Sequence, residues 1–126
     1  MSAPDERAYA DGPVTELDYV RVEYGRFEDY VDWLNSRWKP TMEAAKKAGL
    51  VLDYKAYKAT PKAPDQPNVF LAITFENMAA FDKGVELEAV AKRVIGSTAV
   101  QNEARVLRNE YRRVLGIELV REILLK

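Results

Sequence analysis

Neither cysteine nor histidine occurs among the 126 residues of this chain. Without cysteine there is no disulfide framework, and the redox compartment stays open. Without both residues, zinc sites of the usual Cys/His composition are excluded. So are Ser–His and Cys–His nucleophile pairs. An all-carboxylate metal site stays open, although no Asp/Glu run has calcium-loop spacing. Glycine is sparse, with six residues, and no glycine-rich loop is arranged to cradle phosphate. No apolar run is long enough to span a membrane. Charge of one sign is also missing. The 19 basic and 20 acidic residues give a net charge of −1, so nothing pulls the chain toward nucleic acid or anionic lipid. The stretch from Met1 to Gly12 is polar, carries Asp5, Glu6, Arg7 and Asp11, and has no apolar core, so it does not read as a signal peptide. A cytoplasmic start and the front of a mature secreted chain both fit it.

Apolar residues make up 48% of the chain and charged residues 31%, a balance that suits one globular domain. Pro4, Gly12 and Pro13 mark residues 1–13 as a flexible lead to a domain over 14–126. From Val14 to Tyr24 the residue types favour a strand. Alternation puts Val20, Val22 and Tyr24 on one face and Tyr19, Arg21 and Glu23 on the other. Phe27, Tyr30, Val31, Leu34, Trp38, Met42 and Ala45 then recur at steps of three and four, one helical stripe. Pro40 lies inside that stripe and predicts a kink or break near Trp38–Pro40. Gly49 suits a left-handed helix terminator.

A second strand is predicted over Leu50–Ala59. Pro61, Pro64 and Pro67 keep the following connection out of any sheet interior. The third strand, Asn68–Phe75, is apolar on both faces, which predicts a central position. Asn77 is placed to cap a short helix carrying Met78 and Phe81. Leu87, Val90, Ala91 and Val94 continue a helical stripe up to Gly96. Thr98 and Gln101 have capping-box spacing for a restart. Val100, Ala104, Leu107, Tyr111 and Val114 then mark the buried face of a last helix. Gly116 ends it, and Ile117–Leu125 reads as the fourth strand.

The order is β-α-β-β-α-β. Right-handed crossovers turn that order into a ferredoxin-like α+β sandwich, a four-stranded antiparallel sheet with helices on one face. The other face then holds Tyr19, Arg21, Asp53, Lys55, Tyr57 and Phe70, a mixture of aromatics and charges that a partner often covers. The stretch Tyr19–Tyr24, the helix from Phe27 through Trp33, Trp38 and Pro40, the strand Leu50–Ala59 and the run VFLAITFENMAAFD from Val69 resemble the dimeric α+β barrel superfamily, in which two ferredoxin-like subunits pack sheet against sheet. The resemblance implies a homodimer. It also implies a range of activities, among them cofactor-independent monooxygenases, isomerases and haem proteins. Haem members ordinarily hold iron through histidine, which this chain lacks.

Three functions follow as expectations. The first is a homodimer that binds a small organic ligand at the polar, aromatic sheet face and uses no cofactor or metal. The second is a cofactor-independent monooxygenase or isomerase acting on an aromatic or enolisable substrate. The third is a structural or assembly protein. At the sheet face, Arg21 or Lys55 can hold an anionic oxygen, Tyr19 or Tyr57 can donate to it, and Asp53 or Glu23 can act as base. The plain alternative is that these charges pair across strands. Trp33 lies about 120° from the mean direction of its helical stripe. There it either covers a pocket mouth or packs at the helix flank. Arg105, Arg108, Arg112 and Arg113, interleaved with Glu103 and Glu110, read as a solvated helix face and not as a nucleic-acid site.

Overall fold

The computed structural model describes residues 7–126. The first six residues of the expected lead lie outside the described residues. The elements run β1 (Tyr9–Val22), α1 (Phe27–Trp33), a π-helical turn (Leu34–Trp38), α2 (Lys39–Lys47), β2 (Asp53–Lys58) and β3 (Val69–Phe75). A 3₁₀ turn (Met78–Lys83), α3 (Gly84–Val94), α4 (Thr98–Arg108) and β4 (Arg112–Leu125) complete the chain. The sheet order is β2-β3-β1-β4 with every neighbouring pair antiparallel. This is the expected ferredoxin-like α+β arrangement, with β1 and β3 central.

Alternation along β1 and β3 sorts the side chains. Val20 pairs with Val69 and Val14 with Phe75, and these four are buried against the helices. One core cluster joins Val20, Val22, Tyr30, Leu34, Leu71 and Tyr111. A second joins Ala45, Val51, Ile73, Phe75 and Val90. The opposite face presents ladder rows such as Lys55–Ala72–Leu17–Glu118 and Tyr57–Phe70–Tyr19–Gly116. Among the described residues no helix packs on it.

Several local expectations are corrected. β1 begins at Tyr9 and not at Val14, because Tyr9, Ala10 and Asp11 pair with the far end of β4. The breakers Gly12 and Pro13 are absorbed by a bulge between Asp11 and Val14. A bulge relieves proline of its missing ladder donor. Glycine is required beside it, since a Cβ at position 12 meets the Glu122 carbonyl oxygen at 3.0 Å. Tyr24 leaves the strand at the Gly25 turn and is fully exposed, so it does not share the buried face of Val20 and Val22.

The break expected near Pro40 takes the form of a wider turn. The Lys39 amide reaches back five residues to the Leu34 carbonyl, the π pattern. The Thr41 hydroxyl donates to the Arg37 carbonyl at 2.8 Å, a side-chain donor beside the residue that has no N–H. At the other end Gly49 (φ +78°) closes a Schellman motif. Its own amide bonds to Lys46 and the Leu50 amide to Ala45. That motif consumes Leu50, so β2 starts at Asp53.

The last helix is shorter than expected and is capped one residue earlier. Its cap is Ser97, whose hydroxyl accepts from the Val100 amide at 3.3 Å, and not Thr98. α4 stops at Arg108. Tyr111 leaves the helix to enter the first core cluster, and Val114 belongs to β4. No residue of α4 is buried, and Val100 and Leu107 are exposed. Gly116 does not end a helix but lies within β4 beside a bulge at Leu115.

Candidate functional site

The six residues singled out from the sequence do not meet at one point. Tyr19 donates to Glu118 and stands edge-on to Phe70, with ring centroids 5.3 Å apart. Arg21 reaches the Gln66 carbonyl at 3.4 Å. Asp53 pairs with Lys46 of α2 at 3.8 Å. Lys55 and Tyr57 line one cavity together. Trp33 lies in the helical layer, stacked on Tyr30 at 5.7 Å.

The cavity that Lys55 and Tyr57 share has a volume of about 400 Å³. It runs between the α1–π-turn segment and the outer edge of β2. Phe27, Val31, Leu34 and Trp38 form its helical wall. Trp38 stands edge-on to Tyr54 at 5.3 Å, and the Tyr54 hydroxyl donates to Glu43. That bond pushes the Tyr54 pKa up to about 12, which holds it as a neutral phenol. Lys39, Lys55 and Lys58 are among its lining residues, and no carboxylate lines it. Lys58 lies 5.1 Å from the Phe27 ring centroid, a cation–π distance. The wider π turn presents Leu34, Asn35 and Trp38 together toward β2, and such turns recur at functional sites.

A second constellation lies between the sheet and the helices. Glu16 and Asp18 alternate with Val14 and Val20 on the buried face of β1. The Glu16 pKa is raised from 4.5 to about 7, first by burial, then by a hydrogen bond to Asp18 and by its charge. Tyr30 is fully buried. Burial raises its pKa, while Arg112 and Arg108 oppose the rise. Arg112 lies close to the hydroxyl, but no aligned hydrogen bond forms. Burial, with Arg112 beside it, lowers the Arg108 pKa to about 10. The Arg108 guanidinium covers Trp33 at 3.9 Å, and Arg112 and Arg113 belong to β4, so of the expected basic helix face Arg105 is solvated on α4 and Arg108 is partly covered. A cavity of about 190 Å³ between the α1–α2 helix and α4 is lined by Trp33, Trp38, Arg105 and Arg108.

Sequence reasoning missed Glu16, Asp18 and Tyr30 as site residues, and a signal for the two acids was available. They occupy buried-face positions in a strand otherwise apolar on that side. Trp33 lies at the flank of the helix, where the Arg108 guanidinium covers its ring.

The architecture is a ferredoxin-like α+β fold. Similar solved structures include a dimeric ferredoxin-like protein from an uncultured marine organism, 10% identical with a TM-score of 0.57 over 93% of this chain and 90% of that one. HapK from Hahella chejuensis is 12% identical with a TM-score of 0.55, covering 86% of this chain and 91% of that one. A protein from Shewanella oneidensis is 14% identical, also at 0.55, covering 92% and 96%. Identities this low establish the fold alone. No family model matches the chain, and no curated protein matches it in sequence. Among the described residues no helix is long and apolar enough to cross a membrane.

Proposed function

We propose that the protein is a homodimer that binds a small, partly aromatic carboxylate in the groove between the α1–π-turn segment and β2. One observation carries the binding half of this reading. A cavity of about 400 Å³ joins four apolar and aromatic wall residues to three lysines, with no carboxylate among its lining residues. The volume falls in the range of small-molecule sites. Apolar walls take the ring or chain of the ligand, and the lysines take its charge at the mouth. Phe27, Trp38 and Tyr54 offer ring edges and faces for stacking.

The test is calorimetric titration with benzoate, indole-3-acetate and hexanoate. At least one is expected to bind, and the double charge reversal Lys55→Glu with Lys58→Glu weakens it about tenfold or more. Both lysines are exposed, so this variant keeps the fold. Equal affinity in the wild type and the variant, or no binding of any of the three, overturns the groove assignment.

The dimer half rests on the uncovered sheet face, where Leu17, Tyr19, Phe70 and Val120 face outward in neighbouring ladder rows. A two-fold contact buries such a face symmetrically. The similar marine protein is itself described as dimeric. Sedimentation at micromolar concentration is expected to give a dimer, and Leu17→Lys with Val120→Lys is expected to give a monomer. A wild-type monomer rejects this half of the reading and leaves the groove untouched.

A further inference from the structure

Like charges directly opposite each other on neighbouring strands repel and cost stability, because pairing brings their Cβ atoms within roughly 5 Å. Arg21 of β1 and Arg113 of β4 stand in that relation. Arg112 stands beside them, opposite Val22. No acid relieves the cluster: among the described residues, none of the three guanidinium groups lies within 4.0 Å of a carboxylate. Glu23 is the acid best placed to do so. It lies two residues beyond Arg21, and its amide extends the ladder by bonding to the Tyr111 carbonyl at 2.8 Å. It forms no ion pair either.

These residues line one cavity, of about 600 Å³, between the end of the β1–β4 pair and Pro64 of the β2–β3 loop. That loop also holds Arg21 in place, through the Gln66 carbonyl at 3.4 Å. Three arginines and one glutamate line the cavity, an excess of two positive charges. The complement of that lining is a dianion. Guanidinium forks match the oxygens of a phosphate group two at a time. A phosphate monoester carries nearly two negative charges at neutral pH, where a carboxylate carries one. The cavity also has an aromatic wall. The Tyr111 ring is already covered by the Arg26 guanidinium at 4.4 Å, and Arg26 is neutralised by Asp29. Tyr24 is fully exposed at the Gly25 turn and lines the same cavity, so its ring face is free for stacking.

We propose that this end of the sheet is a second binding site, for the phosphate monoester of a small aromatic alcohol. The phosphate oxygens accept from Arg21 and Arg113, Arg112 adds positive charge at the cavity wall, and the aromatic ring lies against Tyr24. The site has no lining residue in common with the groove beside β2 and does not rest on the reading of that groove.

The test titrates phenyl phosphate into the full chain by calorimetry, with phenyl sulfate as the probe of like shape and one charge fewer. Phenyl phosphate is expected to bind about tenfold more tightly than phenyl sulfate. Arg113→Gln removes one member of the repelling pair. It is expected to hold or raise the thermal midpoint while weakening phenyl phosphate about tenfold. Arg21→Gln is expected to weaken it likewise. Glu23→Gln removes the acid of the lining and is expected to tighten phenyl phosphate about threefold. The groove variant Lys55→Glu with Lys58→Glu is expected to keep this binding. The proposal is overturned if phenyl phosphate shows no saturable binding at millimolar concentration, or if it binds no more tightly than phenyl sulfate. Unchanged affinity in both Arg21→Gln and Arg113→Gln overturns it too, and a shift from dimer to monomer in those variants then assigns the arginines to the subunit contact. Loss of phenyl phosphate binding in the groove variant places the anion among the lysines and also overturns it.

Discussion

Glu16→Gln is expected to make the protein more stable above pH 7 and to leave its stability in acid nearly unchanged. The unfolded Glu16 carboxyl ionises near 4.5 and the folded one at about 7. Between those values the folded chain holds the proton that the unfolded chain has released, so stability falls as pH rises. Below 4.5 both states are protonated and the effect vanishes. Above 7 both are ionised and the cost is present in full. Water reaches part of the Glu16 side chain, so the cost is about 1–2 kcal/mol after screening, less than the bare shift implies. Burial is the first cause and Asp18 the second. Asp18 in turn acts on the Tyr30 hydroxyl, as do Arg108 and Arg112, with Arg105 and Tyr111 next to Arg108. Glutamine keeps a donor for Asp18 and cannot ionise. Urea unfolding of both proteins at pH 4 and pH 8 measures the difference directly. A gap between wild type and variant that is the same at both pH values refutes the Glu16 assignment.

Asn68→Ala is expected to destabilise the fold by about 3 kcal/mol, the larger effect of the two. Asn68 stands one residue before β3 and works as an extra rung of the ladder. Its side-chain oxygen accepts from the Val22 amide at 2.8 Å, and its side-chain nitrogen donates to the Val22 carbonyl at 3.0 Å. Val22 is fully buried in the first core cluster. Removing the amide leaves both backbone groups unpaired at the end of β1, and each such group costs about 1–3 kcal/mol. The Asn68 amide keeps its own bond to Val20, so the loss is confined to the side chain. Chemical denaturation measures it, and a change below about 1 kcal/mol means that water substitutes for the side chain.

The strands were legible because their alternation is strong and their ends are marked. Val69–Phe75 stands within one residue of its expected span, and the turn at Gly49 does what a glycine after a lysine pair suggests. The long β4 was not legible from its start. Tyr111 and Val114 continue a three-to-four spacing that α4 abandons at Arg108, and only the pairing of Val114 with Val20 of β1 reveals a strand. Gly12 and Pro13 misled for a related reason: a bulge tolerates the two residues that usually end a strand. The sheet-face grouping of Tyr19, Lys55 and Tyr57 was correct as register. Register, however, says which residues share a face and not which share a cavity. Lys55 and Tyr57 meet at the edge of β2 because the helix wall stands beside that edge, which no strand pattern encodes. The acids at positions 16 and 18 were readable in principle, since they break an apolar alternation. Tyr30 looked like ordinary core, and only its unpaired hydroxyl separates it from its neighbours.

The five-residue turn at Leu34–Trp38 has a consequence for how this chain can vary. A π turn accommodates one residue more than an α-helix of the same length. Deleting one residue there restores the ordinary pitch and keeps Phe27 and Val31 in phase with Lys39, because the wider turn advances about as far with five residues as an α-helix does with four. What the deletion removes is the bulge that brings Leu34, Asn35 and Trp38 together on the wall of the groove. The groove is therefore tied to this extra residue as much as to the identity of its side chains, and a one-residue shortening alters its wall while leaving α2 in place.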